Sequence, residues 1–221
     1  MKRLSAVGLL LLLLLAVPQG AEAQGIGVGV RGGFLGFGGE AAMELRRSVV
    51  LRGGYGVFPV DFTGEYSGVS YTVTPPSSIG NLGIDLYPGG RGFRIVAGLM
   101  SRSGNVELLS GDLSEGSPVQ IGDGEYNEPG TISGVLKSKT TAPFVGIGFG
   151  RHTAPGLGLF LDFGVAFTGD PEVSLDAAGP IREVPGFLDN LRKEEREIED
   201  AGGGLLKYWP VFSVGIRLGI G

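Results

Sequence analysis

Eight charged side chains stand out because each occurs in a segment that is otherwise apolar or rich in glycine. Four are arginines and four are carboxylates. Charged groups held out of water must pair, and the planar fork of arginine suits a bidentate contact with a carboxylate. Such a set could form a structural ion-pair network or a charged constriction along a solute path. The eight residues are Arg31, Glu40, Glu44, Arg52, Asp85, Arg94, Asp162 and Arg217.

Catalytic chemistry finds little support among the other residues. The chain has one histidine, His152, and no cysteine. His152 lies in a short polar stretch, so we expect a solvated turn residue without a catalytic partner and no enzymatic activity. Residues 27–32 match the letters of a glycine-rich nucleotide motif, but no strand precedes them and no helix follows. We therefore expect no cofactor and no bound metal.

Eight segments alternate between apolar residues and glycine or polar residues, which is the period of a β-strand. Seven of them carry the eight charges. Such segments occur near residues 26–34, 37–45, 49–57, 81–86, 93–100, 145–150, 157–165 and 210–220. One face of each is mostly apolar, and the charges all lie on the other face. The charges would therefore point inward if the segments closed into a barrel with an apolar exterior.

The connections between these segments alternate between short and long. The short ones lie at 46–48, 88–92 and 151–156, and the long polar ones at about 60–79, 103–140 and 169–206. Short turns at one end and long loops at the other are typical of outer-membrane barrels, as are aromatic residues near strand ends such as Tyr208 and Trp209. The fold class predicted is all-β, an eight-stranded antiparallel up-and-down transmembrane barrel. The connection near Leu35–Gly36 would be unusually tight, and Asp85 and Arg94 should be neighbours across one short turn.

Two of the long loops carry patterns of their own. Around Gly122-Asp123-Gly124 the sequence predicts a hairpin above the barrel. Residues 185–200 predict a helix, because Phe187 and Leu191 lie near one face of an otherwise charged segment. We expect a solvated loop helix, and a lid or partner-docking helix is the alternative.

The first 23 residues have the features of a secretory signal peptide. Lys2 and Arg3 precede an apolar run that is shorter than the ~20 residues needed to span a bilayer. Ala21-Glu22-Ala23 fits the signal-peptidase pattern, so we expect cleavage after Ala23 and one barrel domain from 24 to 221. The formal net charge of −5 argues against a nucleic-acid partner.

Several stretches resemble sequence signatures of a known group. Residues 80–88, 142–148 and 160–165 resemble small proteobacterial outer-membrane β-barrel proteins, and residues 208–216 are similar to the last strand of that family. The resemblance covers most of the chain after the signal, and it implies an OmpA/OmpW-like, eight-stranded barrel without known catalytic residues. One departure is Ile220, where such barrels usually end in an aromatic residue that the barrel assembly machinery recognises.

These observations together predict a non-enzymatic outer-membrane barrel with a structural or surface-interaction role and a salt-bridged, largely closed lumen. A narrow channel for small or apolar solutes is the alternative, and an outer-membrane lipid-modifying enzyme is the third hypothesis. A soluble periplasmic β-sandwich is the alternative fold. The expected partners are outer-membrane lipid and lipopolysaccharide, with the barrel assembly machinery during biogenesis, and we expect a monomer.

Overall fold

A computed structural model describes residues 25–66, 69–113, 118–202 and 207–220. The predicted signal peptide lies outside these residues and stays a prediction. The strands are β1 (Ile26–Gly33), β2 (Phe37–Arg46), β3 (Val49–Val57), β4 (Phe62–Tyr66), β5 (Val69–Thr74), β6 (Ser78–Leu86), β7 (Phe93–Ser103), β8 (Val106–Ser110), β9 (Val119–Ile121), β10 (Gly124–Tyr126), β11 (Thr131–Lys137), β12 (Thr141–Phe149), β13 (Gly156–Phe167), β14 (Glu172–Ala178) and β15 (Tyr208–Ile220). The helical elements are a 3₁₀ turn (Pro180–Glu183) and the helix α1 (Phe187–Gly202).

Eight of the strands close into an antiparallel barrel. Its order is β1, β2, β3, β6, β7, β12, β13 and β15, and β15 pairs with β1. Each barrel strand contains one of the alternating segments, so the predicted eight-stranded up-and-down barrel is confirmed. Closure pairs every strand on both sides and leaves no free edge in this sheet.

The alternation in sequence becomes an apolar exterior and a mixed interior. Outward positions carry exposed large apolar side chains, among them Val30, Tyr55, Leu82, Leu99 and Leu159. Successive side chains of a strand point to opposite faces, so the neighbours of these residues fill the inside of the barrel. The barrel is therefore apolar outside, in contrast to the polar exterior of a water-soluble sheet protein.

The connection from β1 to β2 is a tight turn, as predicted. The Gly36 amide donates to the Gly33 carbonyl at 3.0 Å, and Gly36 has a φ of 81°. A side chain at Gly36 would also crowd the backbone of Val57, where a Cβ would lie 2.8 Å from the amide nitrogen. Glycine suits both constraints, and the turn directs the buried Leu35 into the barrel.

The long connections build a second layer above one end of the barrel. It contains a five-stranded sheet in the order β14, β11, β8, β5 and β4, and the predicted hairpin is confirmed as β9 and β10. A separate apolar core holds this layer together, with Leu113, Ile121, Tyr126, Ile132, Ala177, Ile181, Phe187 and Leu191 buried in it. The connections at the opposite end of the barrel stay short, so the molecule has two different ends.

The predicted loop helix is confirmed; its charged face is exposed and its apolar face packs on the loop layer. Phe187 and Leu191 of α1 are buried in the core of the loop layer. Two of its carboxylates, Glu195 and Glu199, accept hydrogen bonds from backbone amides of β14 at 2.6 and 2.8 Å. The helix thus covers an edge of the loop sheet, which explains why it is ordered against β14. Among the described residues, no helix is both long and apolar enough to cross a membrane.

Candidate functional site

Six of the eight predicted charged residues meet inside the barrel. Each comes from a different strand, and each is at most 6% exposed. We call them the charge layer: Arg31, Glu40, Arg52, Asp85, Arg94 and Asp162. Strand alternation brings them to the inner face, and the closed barrel brings the six strands around a common centre.

Arg52 is the centre of the charge layer. Its Nε and Nη2 donate to the two carboxylate oxygens of Asp85 at 2.9 and 3.3 Å. Its Nη1 and Nη2 also donate to Asp162, at 3.1 and 3.3 Å, and Nη1 lies 3.2 Å from Glu40 Oε2. The guanidinium plane therefore contacts three carboxylates, a geometry that a lysine ammonium cannot reproduce.

Two further arginines complete the layer. Arg94 lies 3.2 Å from Asp85 and donates to Asp162 at 2.7 Å, so the predicted neighbourhood of Asp85 and Arg94 is confirmed. Arg31 lies 3.5 Å from Glu40 and donates to the amide oxygen of Asn81 at 2.7 Å. Three cations thus face three anions, and this balance is what keeps buried charges tolerable.

Inward glycines make room for these side chains. A Cβ at Gly148 would lie 2.6 Å from both Arg94 Cζ and Asp162 Oδ1, and one at Gly54 would lie 2.8 Å from Arg31 Nη1. Small residues on the inner face alone could indicate an open lumen. In this barrel, guanidinium groups from other strands occupy the space above them.

His152 is part of this site, so its expected solvation is wrong. The side chain is 1% exposed, its Nε2 contacts Glu40 Oε1, and its Nδ1 lies 3.8 Å from Asp85. The turn between β12 and β13 folds back into the barrel, and its ends, Gly150 and Gly156, both have positive φ. Sequence reasoning treated a short polar turn as exposed, although a turn at a barrel mouth can also close it.

Burial in the barrel lowers the pKa of His152 below its ordinary value, and Arg52 and Arg94 act in the same direction against Glu40. The neutral ring can donate its Nε2 proton to the Glu40 carboxylate. The ring also packs on Phe160, with 4.6 Å between centroids. A neutral His152 leaves the three-to-three charge balance unchanged.

Glu44 and Arg217 share the inner face but lie outside the charge layer, nearer the short turns. Glu44 accepts hydrogen bonds from Arg151 at 2.8 Å and from Thr153 at 3.1 Å. Arg217 donates to the carbonyls of Ala154 and Gly156, the latter at 2.9 Å. Both side chains hold the turn between β12 and β13 in the barrel mouth.

Apolar side chains fill the lumen on the side of the long loops. We call them the apolar layer: Leu35, Ile79, Val96, Met100, Ala142, Phe144, Ala166 and Val211. A cavity of about 10 Å³ lies between the two layers, bounded by Leu35 on one side and Arg52 and Asp162 on the other. That is about the space of a single water site.

Sequence reasoning missed two inward polar residues. Asn81 supports Arg31, and Arg102 is buried near the loop end of β7. The alternation of side chains along a strand was the signal that could have found both. Asn81 is an even number of residues from Asp85, and Arg102 is an even number from Arg94, so each pair points to the same face. In the parts of the chain that the structure describes, no group of three or more His, Asp or Glu side chains could hold a metal ion.

Comparison with known proteins gives a likeness of fold. No protein-family model and no curated protein matches the sequence. The crystal structure of Acinetobacter baumannii CarO2 is similar with a TM-score of 0.68 and 22% identity, over 90% of this chain and 100% of that one. Acinetobacter baumannii CarO is similar with a TM-score of 0.62 and 20% identity, over 91% and 99%. At these identities, the likeness shows a common barrel fold and leaves the OmpA/OmpW-like resemblance a prediction.

Proposed function

We propose that this chain is an integral outer-membrane β-barrel with a structural or surface-interaction role and a closed lumen. The observation that carries the proposal is the filling of one barrel by two successive layers, one charged and one apolar. An eight-stranded barrel has an interior that side chains can fill. The cavity of about 10 Å³ between the layers is far smaller than a solute path needs.

The outer surface supports a place in a membrane. In the described barrel strands, the outward positions between the strand ends carry no charged residue. Two exposed aromatic pairs mark the two ends of this band: Phe93 with Phe149 near the short turns, and Phe167 with Tyr208 near the loops. Apolar bands between aromatic girdles match the lipid contact of outer-membrane barrels, and water-soluble proteins rarely expose so much apolar surface.

The loop layer supports a role at the surface. Its own apolar core and the helix α1 give the long connections a defined shape. Outer-membrane lipid around the band and lipopolysaccharide around the loop layer are the proposed partners, with the barrel assembly machinery during biogenesis. In a closed barrel the backbone groups at every strand edge are already hydrogen-bonded to a neighbouring strand. No edge is left to pair with a second chain, which favours a monomer.

A non-enzymatic role fits the surroundings of His152. The imidazole is enclosed by Glu40, Asp85 and Phe160. Within the described ranges, no serine or threonine hydroxyl forms a hydrogen bond with this ring. A nucleophile activated by histidine needs such a contact, so the geometry favours a structural role for the residue.

Single-channel recording tests the proposal. The refolded full chain is inserted into a planar phospholipid bilayer, with a heat-modifiability gel to verify that the barrel is folded. We expect insertion without conductance steps, because both layers block the lumen. Reproducible steps that change in the Arg94→Ala variant would overturn the closed lumen and favour the narrow channel.

A further inference from the structure

Arg102 differs from the arginines of the charge layer. It is 4% exposed, yet no described carboxylate forms an ion pair with it. Its Nη2 donates to the Ser138 hydroxyl, and its guanidinium lies 5.6 Å from the centroid of the Trp209 ring. Its Nε is buried and has no hydrogen-bond partner among the described residues. A buried cation with so few partners is costly unless an anion joins it.

A cavity of about 590 Å³ lies against this arginine. Its lining combines the polar side chains of Arg102, Ser138 and Thr168 with the apolar side chains of Leu136, Val165 and Pro210. Small-molecule sites have volumes of roughly 300–1,000 Å³ and combine an apolar lining with a few polar groups. The cavity therefore has the size and the lining of a ligand site.

The cavity lies beside the place where two barrel strands stop pairing. The pairing of β12 with β13 ends at Phe144 and Ala166, and the next link is the Lys139 amide donating to the Thr168 carbonyl at 3.2 Å. On its other side β13 stays paired with β15, where Val165 faces Pro210. These two residues belong to the outward face, so the cavity adjoins both the apolar band and the loop end of the lumen.

We propose that this cavity binds a monocarboxylate with an apolar body, with the carboxylate on Arg102 and the body against the apolar lining residues. Arginine pairs with carboxylates through charge-assisted hydrogen bonds, and Arg102, which lines the cavity, has Ser138 as its one side-chain hydrogen-bond partner among the described residues. The Trp209 ring, whose centroid is 5.6 Å from the guanidinium, lies within the range of a cation–π interaction. The site lies beyond the closed lumen and adds a binding activity to the proposed structural role.

Trp209 also provides the readout, because it is the only tryptophan of the chain. The full-length barrel is reconstituted in phosphatidylcholine nanodiscs and titrated with dodecanoate, with water-soluble benzoate and with uncharged dodecanol. We expect a saturable change in tryptophan fluorescence with the carboxylates and none with dodecanol. Tighter binding of dodecanoate indicates a ligand from the membrane, and tighter binding of benzoate indicates one from water; either result supports the site.

Two variants separate binding at Arg102 from partition into lipid. Arg102→Gln should weaken carboxylate binding by about 30-fold or more, because it removes one partner of a buried charge pair. Arg192→Gln, an exposed arginine of α1, serves as the matched control and should bind as the unmodified chain does. The gel-mobility assay verifies that both variants fold.

Three results would overturn the proposal: no saturable change with either carboxylate, equal binding of dodecanol, or unchanged binding in a folded Arg102→Gln variant. Leu136→Phe gives a second check, since a larger side chain in the apolar lining should weaken the binding of dodecanoate more than that of benzoate. Bilayer conductance is a separate measurement, so the closed lumen and the carboxylate site can fail independently.

Discussion

The charge layer and the apolar layer fill the same lumen, the first nearer the short turns and the second nearer the long loops. In the charge layer, Arg52 alone contacts three carboxylates, and each contact depends on groups from other strands. In the apolar layer, side chains such as Leu35 and Phe144 contribute volume without directed bonds. Both layers fill the barrel, but different interactions stabilise them.

The contrast predicts different tolerance to change. A buried ionic network is favourable only when every member is satisfied, so the loss of one cation leaves its partners unpaired. An apolar layer loses transfer energy and gains a cavity in proportion to the volume removed. Substitutions in the two layers should therefore differ in size and in the kind of second change that restores stability.

The largest effect is expected for Arg52→Met. The substitution keeps much of the side-chain length but leaves three carboxylates opposite two guanidinium groups. Breaking a buried pair in this way costs about 3–5 kcal/mol, and we expect the upper end because three carboxylates lose a contact. Unfolding of the barrel in vesicles by guanidinium chloride, monitored by Trp209 fluorescence, measures the loss of unfolding free energy.

Charge balance can be separated from packing in the same assay. Adding Asp162→Asn to Arg52→Met leaves two cations opposite two anions. The restored charge balance should recover part of the lost stability. A double variant that is less stable than Arg52→Met alone would contradict the charge explanation. Arg192→Met, on the exposed face of α1, is the control and should leave the unfolding midpoint in place.

A smaller effect is expected for Leu35→Ala in the apolar layer. Removing a buried leucine side chain costs about 2–5 kcal/mol, and we expect the lower end because the tight turn that carries Leu35 can relax. The same unfolding assay measures it, with the exposed Leu188→Ala of α1 as the control. A loss larger than that of Arg52→Met would reverse the proposed ranking of the two layers.

The smallest effect is expected from the titration of His152, which faces Glu40, Asp85, Arg52 and Arg94. Burial lowers its pKa in the folded state, so as pH falls the unfolded chain takes up the proton first, near pH 6.5. The contribution of neutral His152 to the stability of the folded barrel is complete above about pH 6.5. It declines below that pH by at most about 1.4 kcal/mol per pH unit.

Unfolding midpoints between pH 7.5 and 5 measure this slope, and His152→Gln is the comparison. The variant should lose stability less steeply over that range, since glutamine does not titrate. Equal slopes in the two proteins would show that the carboxylates of the charge layer account for the pH dependence.

Local patterns predicted the barrel, the hairpin of β9 and β10 and the helix α1, but not the five-stranded sheet of the loop layer. Alternation along each barrel strand is strong because one face meets an apolar environment and the other a packed interior. The strand β14 also alternates, but its polar residues Glu172, Ser174 and Asp176 make it resemble the rest of the long polar connection at 169–206. Its pairing with β11 and its cover by α1 depend on contacts between distant segments, which no local pattern encodes.

The sequence by itself determined which side chains point into the barrel, because a strand has a period of two and one face must be apolar. Only the tertiary structure decided which of them meet. Glu44 and Arg217 share the inner face with Arg52 but lie at a different level along the barrel axis, because the stagger between strands sets that level. His152 contacts the charge layer, and Arg102 lies outside that layer beside a cavity, because the folded-back turn and the end of strand pairing are properties of the closed barrel.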